Sequence, residues 1–230
     1  MIRIMKSEEI IEILKSVSDP KAVQGMARFG ITPDRTFGIS IPDLRKLAKD
    51  LGKDHYLAEE LWGIGYRETR ILASLIAEPS KVTEDQMDTW VKDFDCWEVC
   101  DQTCMNLFRY TVFAHRKATE WSGRDEEFVK RAGFALMATL AVSDKNANDC
   151  EFEKFFLDIK REATDERNYV RKAINWALRQ IGKRSLELNI RAIEVAEDIK
   201  EFDSKAARWI SSDALRELTS EKVQAKLKKD

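Results

Sequence analysis

Proline and glycine are scarce in this chain, four and nine among 230 residues, and β-branched alternation is nearly missing. Few breakers and little period-two patterning favour helix over strand almost throughout, so the expected class is all-α. No Gly/Ser or Pro/Gln stretch interrupts the periodic segments, which argues against a linker and for a single domain over residues 1–230. The first segment, MIRIMKSEEIIEILKSVSD, lacks an uninterrupted apolar core and reads as neither signal peptide nor membrane span. An excess of one charge is lacking as well, because 39 Lys and Arg face 41 Asp and Glu. With 35% charged and 43% hydrophobic residues, the composition suits amphipathic helices and is too apolar for disorder.

Missing motifs narrow the chemistry. There is no GxGxxG after a strand, no GxxxxGK[ST], no HExxH and no GxSxG, so the usual parts of nucleotide cradles, zinc proteases and hydrolase elbows are lacking. Only His55 and His115 are present, both in polar sequence surroundings, and a histidine-based acid–base mechanism is not expected. Four cysteines do not make a disulfide framework in a chain this long, and the expected compartment is a reducing cytosol. Cys96, Cys100 and Cys104 are spaced by four and fall along one helix face. Three thiolates on one helix fit a zinc tetrahedron poorly, so these residues are read as small packing groups and no metal or cofactor is expected.

What is present is repetition. RETRILASLIAE from Arg67, VKRAGFALMATLA from Val129, VRKAINWALRQIG from Val170 and ARWISSDALREL from Ala207 each begin with a basic residue and run into a small, apolar face. Arg131, Lys172 and Arg208 lie 41 and 36 residues apart, and the 61 residues from Arg70 to Arg131 leave room for one poorly matching pair. Repeats of about 40 residues made of two antiparallel helices are the signature of HEAT or armadillo arrays, α-α superhelices with a concave groove. The pattern predicts helices over 7–17, 20–29, 41–51, 55–63, 66–78, 83–94, 96–112, 114–121, 125–142, 149–163, 167–182, 185–200, 204–218 and 220–228. Asp19 before Pro20, Thr83 before Glu84, and Ser204 are placed as helix starts, and residues 30–42 form the longest non-helical stretch.

Within FDCWEVCDQTCMNLF, Trp97 and Asp101 stand four apart, so an indole and a carboxylate share one helix face. A carboxylate beside an aromatic wall stabilises a developing cation or steers a water. The alternative is a core tryptophan beside a solvated acid, and the motif alone leaves both open. Arg131 and Trp176 lie on the recurring helices; an arginine with a nearby indole suits a phosphate and its sugar, although an inter-repeat salt bridge and a core tryptophan fit them equally.

GMARFGI at 25–31, FGISIPDLRKLAKDL at 37–51, LWGIGYRETRILASLI at 61–76, DCWEVCDQ at 95–102 and VRKAINWALRQIGKRS at 170–185 occur in order. On these segments the chain resembles the DNA alkylation repair family of HEAT-like repeat DNA glycosylases, the AlkD-type proteins. The resemblance implies a helical solenoid that holds alkylated double-stranded DNA and hydrolyses the N-glycosidic bond of positively charged purines such as 3-methyladenine and 7-methylguanine, without metal or organic cofactor. It implies Asp101 as the catalytic carboxylate, Trp97 as the aromatic against the deoxyribose, Arg131 as a phosphate-binding arginine and Trp176 as the second aromatic. Against it stands the net charge of −2, low for a phosphate-binding protein. Local basic surface is therefore expected at Arg67, Arg70, Lys130, Arg171, Lys172, Arg179, Lys183, Arg184 and the tail Lys226, Lys228 and Lys229. The other reading is a catalytically inactive HEAT-like scaffold for branched DNA or a protein partner. Nothing in the sequence demands more than a monomer.

Overall fold

The computed structural model describes residues 5–31 and 33–228. Residues 1–4, Thr32 in the long loop and Lys229 in the basic tail, all named above, lie outside them. Among the described residues there are helices and turns and no strand. None of these helices is long and apolar enough to cross a membrane.

The polar residues read as helix starts all cap. Asp19 Oδ1 accepts from the amides of Lys21 and Ala22, Thr83 Oγ1 from Gln86, and Ser204 Oγ from Ala207. Each satisfies a backbone N–H that the first helical turn leaves without a partner.

The chain divides at Thr111 and Val112 into two compact units, where the sequence read as one continuous array. The first holds α1 (Ser7–Ser16), α2 (Pro20–Ala27), α3 (Ile41–Leu51), α4 (His55–Ile64), α5 (Arg67–Ile76), α6 (Glu84–Trp90) and α7 (Trp97–Asn106). The second holds α8 (Ala114–Ser122), α9 (Glu127–Ser143), α10 (Asp149–Glu153), α11 (Phe155–Glu162), α12 (Asn168–Ile181), α13 (Leu186–Lys200), α14 (Lys205–Leu218) and α15 (Glu221–Leu227). The helix predicted over 96–112 is shorter. At Leu107 the backbone leaves helical geometry (φ −131°, ψ −65°), and Leu107 and Phe108 are both fully buried. The helix predicted over 149–163 is likewise divided, at Lys154.

Consecutive helices pack as pairs, α4 on α5, α8 on α9 and α13 on α14. At the α8–α9 contact a Cβ on Gly133 would lie 2.4 Å from the Ser122 amide nitrogen and 2.8 Å from the Ala118 carbonyl oxygen, so the two backbones meet there without a side chain between them.

The repeat can be measured from its bonds. In the second unit six hydrogen bonds join residues separated by 38: Arg131 to Tyr169, Glu153 to Arg191, Lys160 to Asp198, Glu166 to Ser204, Asn175 to Asp213 and Arg179 to Glu217. In the first, the corresponding offset is 31 or 32: Thr36 to Glu68, Trp62 to Asp93, Arg67 to Glu98 and Ser74 to Asn106. A constant offset means that equivalent helices stack in constant register, as each repeat buries its face on the next. The helix that the basic-headed pattern did not reveal between α5 and α9 is α7, which packs on α5.

Candidate functional site

The basic heads of the repeating helices are largely interior. A cation in the first turn works against the helix dipole and needs compensation, and carboxylates and carbonyls supply it. Arg67, buried on α5, donates from Nε to Glu98 at 2.5 Å and from Nη1 to Glu68 and to the Ile39 carbonyl. Burial acts to lower the Arg67 pKa, but Glu98 and Glu68 together outweigh it and hold it above its ordinary value. Arg70 donates to the Asp93 carbonyl, lies 3.4 Å from Asp95 and sits over the Trp62 ring.

These bonds place α7. Glu98, Asp95 and Asp93 anchor its beginning to α5, and Asn106 Nδ2 reaches Ser74 at its end. Cys100 and Cys104 are buried on the packed face, and Cys96, also buried, precedes the first turn with its thiol pushed up to about 11 by burial. Among the described residues no group of three His, Cys, Asp or Glu side chains is arranged to hold a metal ion.

Trp97 opens α7 and Asp101 follows one turn later, both half-buried. The Trp97 indole N–H donates to the Phe29 carbonyl at 2.9 Å, which fixes the ring against the loop after α2. Phe29 itself is 68% exposed. The site on the first unit is thus an indole held at its polar edge, a carboxylate one turn along and an exposed phenyl ring on the anchoring loop. Sequence reasoning quoted the GMARFGI segment without singling out Phe29, because its partner is 68 residues away.

A single buried carboxylate holds the next stretch of chain. Glu68 is fully buried and accepts from Thr36 Oγ1, from the amides of Phe37, Gly38 and Ile39, and from Arg67. Gly38 has φ +80°, and a Cβ there would sit 2.4 Å from the Asp19 carbonyl oxygen.

The other two expected active-site residues belong to the second unit. Arg131 is 6% exposed on α9, and its Nη1 donates to the Tyr169 carbonyl at the start of α12, 2.6 Å away. Trp176 is half-buried on α12. Arg131 is therefore placed as a tie between repeats, where the expectation had a guanidinium presented to phosphate. The basic residues expected at a DNA surface divide in the same way. Lys130 is buried against Glu162 and Asp165, and the half-buried Arg184 bonds Asp149 and the carbonyls of Ala141 and Ala147. Arg179 and Lys183 both reach Glu217. Arg67 and Arg70 are interior as described. Arg171 lies over the Trp209 ring, and Lys172 is exposed on α12. Arg67, Arg70, Lys130 and Arg131 reach carboxylates or carbonyls from the first turns of α5 and α9, and Arg179, Lys183 and Arg184 do so from the end of α12 and the turn after it. His115 bonds Asp144 at 2.9 Å and stacks on Phe155.

Helix pairs tied by bonds of constant offset define a helical-repeat protein. The family model described as DNA alkylation repair enzyme matches residues 10–218, and the chain belongs to that family. An uncharacterized protein of Listeria innocua serovar 6a is 25% identical over 191 residues, 81% of this chain and 83% of that one. A solved structure from a new family of proteins related to the HEAT-like repeat DNA glycosylases with affinity for branched DNA structures superposes with a TM-score of 0.74 at 20% identity, covering 92% of this chain and 95% of its own. The fold is accordingly all-α and HEAT-like.

Proposed function

We propose that the protein is a metal-independent DNA glycosylase that hydrolyses the N-glycosidic bond of positively charged alkylated purines in duplex DNA, and that it works in the cytoplasm as a monomer. The observation that carries this reading is the pairing of Trp97 and Asp101 one turn apart on α7, with the indole edge fixed by Phe29. A purine alkylated at N3 or N7 already bears a positive charge, so it leaves with the bonding electron pair and needs no acid to protonate it. Positive charge then builds at the anomeric carbon. Asp101 stabilises that charge and orients the water that adds there, while the water's proton passes to solvent. The π-face of Trp97 favours the same cationic centre, and Trp176 is given the role of the second aromatic. Arg131, buried at the joint of α9 and α12, supports the helix that carries Trp176.

The test is release of 7-methylguanine from methylated duplex DNA. The wild type is expected to release it and Asp101→Asn to lose it. No release by the wild type would refute the enzyme reading, and release that survives Asp101→Asn would refute the mechanism alone.

A second reading, a non-hydrolytic protein for branched DNA, is favoured by the affinity of the structural neighbour's family for such DNA and by the number of basic residues engaged in ion pairs. It predicts tighter binding to a four-way junction than to a linear duplex at one salt concentration, with no base released from either.

A further inference from the structure

In the second unit α12 and α14 pack along a single row of contacts. Arg171 lies over Trp209, Asn175 Nδ2 donates to Asp213 at 2.7 Å, and Arg179 pairs with Glu217. Each step is one helical turn on both helices, so the row fixes where the Trp209 ring sits.

Of the six tryptophans Trp209 is the most exposed, at 38%, while Trp62, Trp90 and Trp121 are buried and Trp97 and Trp176 half-buried. The Arg171 guanidinium carbon is 5.3 Å from its ring centroid. Arg171 makes few other bonds: its Nε is buried without a hydrogen-bond partner, Nη2 reaches the Asn168 side chain only at 3.4 Å, and its charge also acts on Glu166. A guanidinium over an indole covers part of one face and orients the ring, and the residue keeps its 38% exposure beside that contact.

The surroundings are cationic. Helix α12 carries Arg171, Lys172 and Arg179 and no acid. On α14, Lys205 lies one turn before Trp209 and Arg208 beside it, all exposed. The acids nearby are engaged: Glu166 accepts from Ser204 Oγ and the Ala206 amide, Asp203 lies 3.5 Å from Arg208, and Asp213 serves Asn175 and Arg216. Lys172 and Lys205 have no ion-pair partner among the described residues.

We propose that Trp209 is a stacking platform for an unpaired nucleobase, with Lys172 and Lys205 receiving the phosphates on either side of it. The proposal rests on the DNA-binding reading above and gives it a preference. In a blunt duplex both faces of an interior base are covered by its neighbours, so an indole on a protein surface gains its stacking only where a base is unstacked, as at a fork, flap or junction. Flanking lysines supply the strand-tracking charge such platforms need, and an aromatic face accepts any base.

The experiment compares a forked DNA with single-stranded arms and a blunt duplex of the same paired sequence, by fluorescence anisotropy at one salt concentration, using the full chain. Trp209→Ala is expected to weaken fork binding roughly 5- to 150-fold, the range of one base–aromatic stack, and blunt-duplex binding by about twofold or less. Trp209→Leu, which keeps apolar bulk and removes the π-face, should lose as much, and Trp209→Phe should retain most of the affinity. Equal losses on both DNAs, unchanged fork binding in the alanine variant, or full affinity with leucine would each overturn the platform while leaving DNA binding intact. A wild type that binds neither DNA would refute the DNA reading as well. Should Trp209→Ala melt well below the wild type, the Leu and Phe pair decides the matter.

Discussion

At the scale of single residues the strongest constraints come from carboxylates. Asp101 is half-buried on a helix tied to α5 by three hydrogen bonds, so its position is defined before any substrate arrives. If it steers the water and stabilises the sugar cation, Asp101→Asn should reduce the single-turnover rate of 7-methylguanine release by about 10²–10⁴-fold with DNA affinity nearly unchanged. A parallel loss of affinity would place Asp101 in binding. Glu68 does a different job: it takes no part in chemistry and instead terminates five donors inside the first unit. Glu68→Ala leaves Arg67 short of one partner, the Phe37 and Ile39 amides without theirs and the Gly38 amide with Thr36 Oγ1 alone, and the expected cost is about 3–5 kcal/mol. Urea unfolding measures it, and a cost near zero would mean that water replaces the carboxylate in the 36–39 loop.

The helices themselves were largely legible in the sequence. Caps at Asp19, Thr83 and Ser204 and the apolar periodicity set most boundaries to within a few residues, because both signals are local. The interruptions at Leu107 and Lys154 were not legible, since they answer to what the side chains meet in the core. Nor was the engagement of the basic heads. Lys130 in VKRAGFALMATLA looks like a cation offered to solvent, but Glu162 and Asp165, which take it, stand more than 30 residues on with no motif to mark them. The Trp97–Asp101 spacing was visible because it is local, whereas the Phe29 carbonyl that fixes the indole was not. Close helix contacts make a prediction at this scale. Gly133→Ala puts a methyl group into the backbone of α8 and should destabilise by about 1–3 kcal/mol. Gly63→Ala, on α4 with nothing within 4 Å, should instead stabilise, by about 0.5–1 kcal/mol through helix propensity. Thermal midpoints that move the same way in both variants would contradict the close approach.

For the whole molecule, ion pairs between repeats make stability depend on acid pH. Burial acts to raise the pKa of Glu162, Asp165 and Glu217, but their cations outweigh it: Lys130 and Arg161 for the first, Arg167 and Lys130 for the second, Lys183 and Arg179 for the third. All three are held below the ordinary carboxylate value. A depressed folded-state pKa contributes stability that is present above the unfolded value, about 4, and is lost as pH falls through the folded one. The urea midpoint should therefore hold from neutral pH down to about 5 and fall below about 4. Lys130→Met should be less stable at neutral pH, by about 3 kcal/mol, and should decline less steeply into acid, because Glu162 and Asp165 lose the cation that depresses them. Parallel pH curves for the two proteins would show that the pair does not carry the acid sensitivity.

On the proposed DNA-binding reading, the same pairing sets how much contact with phosphate is available. With 39 basic residues against 41 acidic ones, Arg67, Arg70, Lys130 and Arg131 buried, and Arg179, Lys183 and Arg184 in ion pairs, the cations on these helices have little left to displace counterions from phosphate. Log affinity falls with log salt by about 0.9 for each phosphate neutralised on a duplex. A protein relying on exposed lysines such as Lys172 and Lys205 would neutralise only a few phosphates, giving a slope of about −2 to −4 rather than the −6 to −10 of strongly basic DNA-binding proteins. Titrations of duplex and forked DNA between low and moderate salt measure it. A slope steeper than about −5 would mean that more cations meet phosphate, either further exposed lysines or arginines now shared with Glu98 and Glu217. A shallow slope would assign the affinity to stacking and shape, the balance that the proposed use of the partly exposed indoles on α7, α12 and α14 calls for.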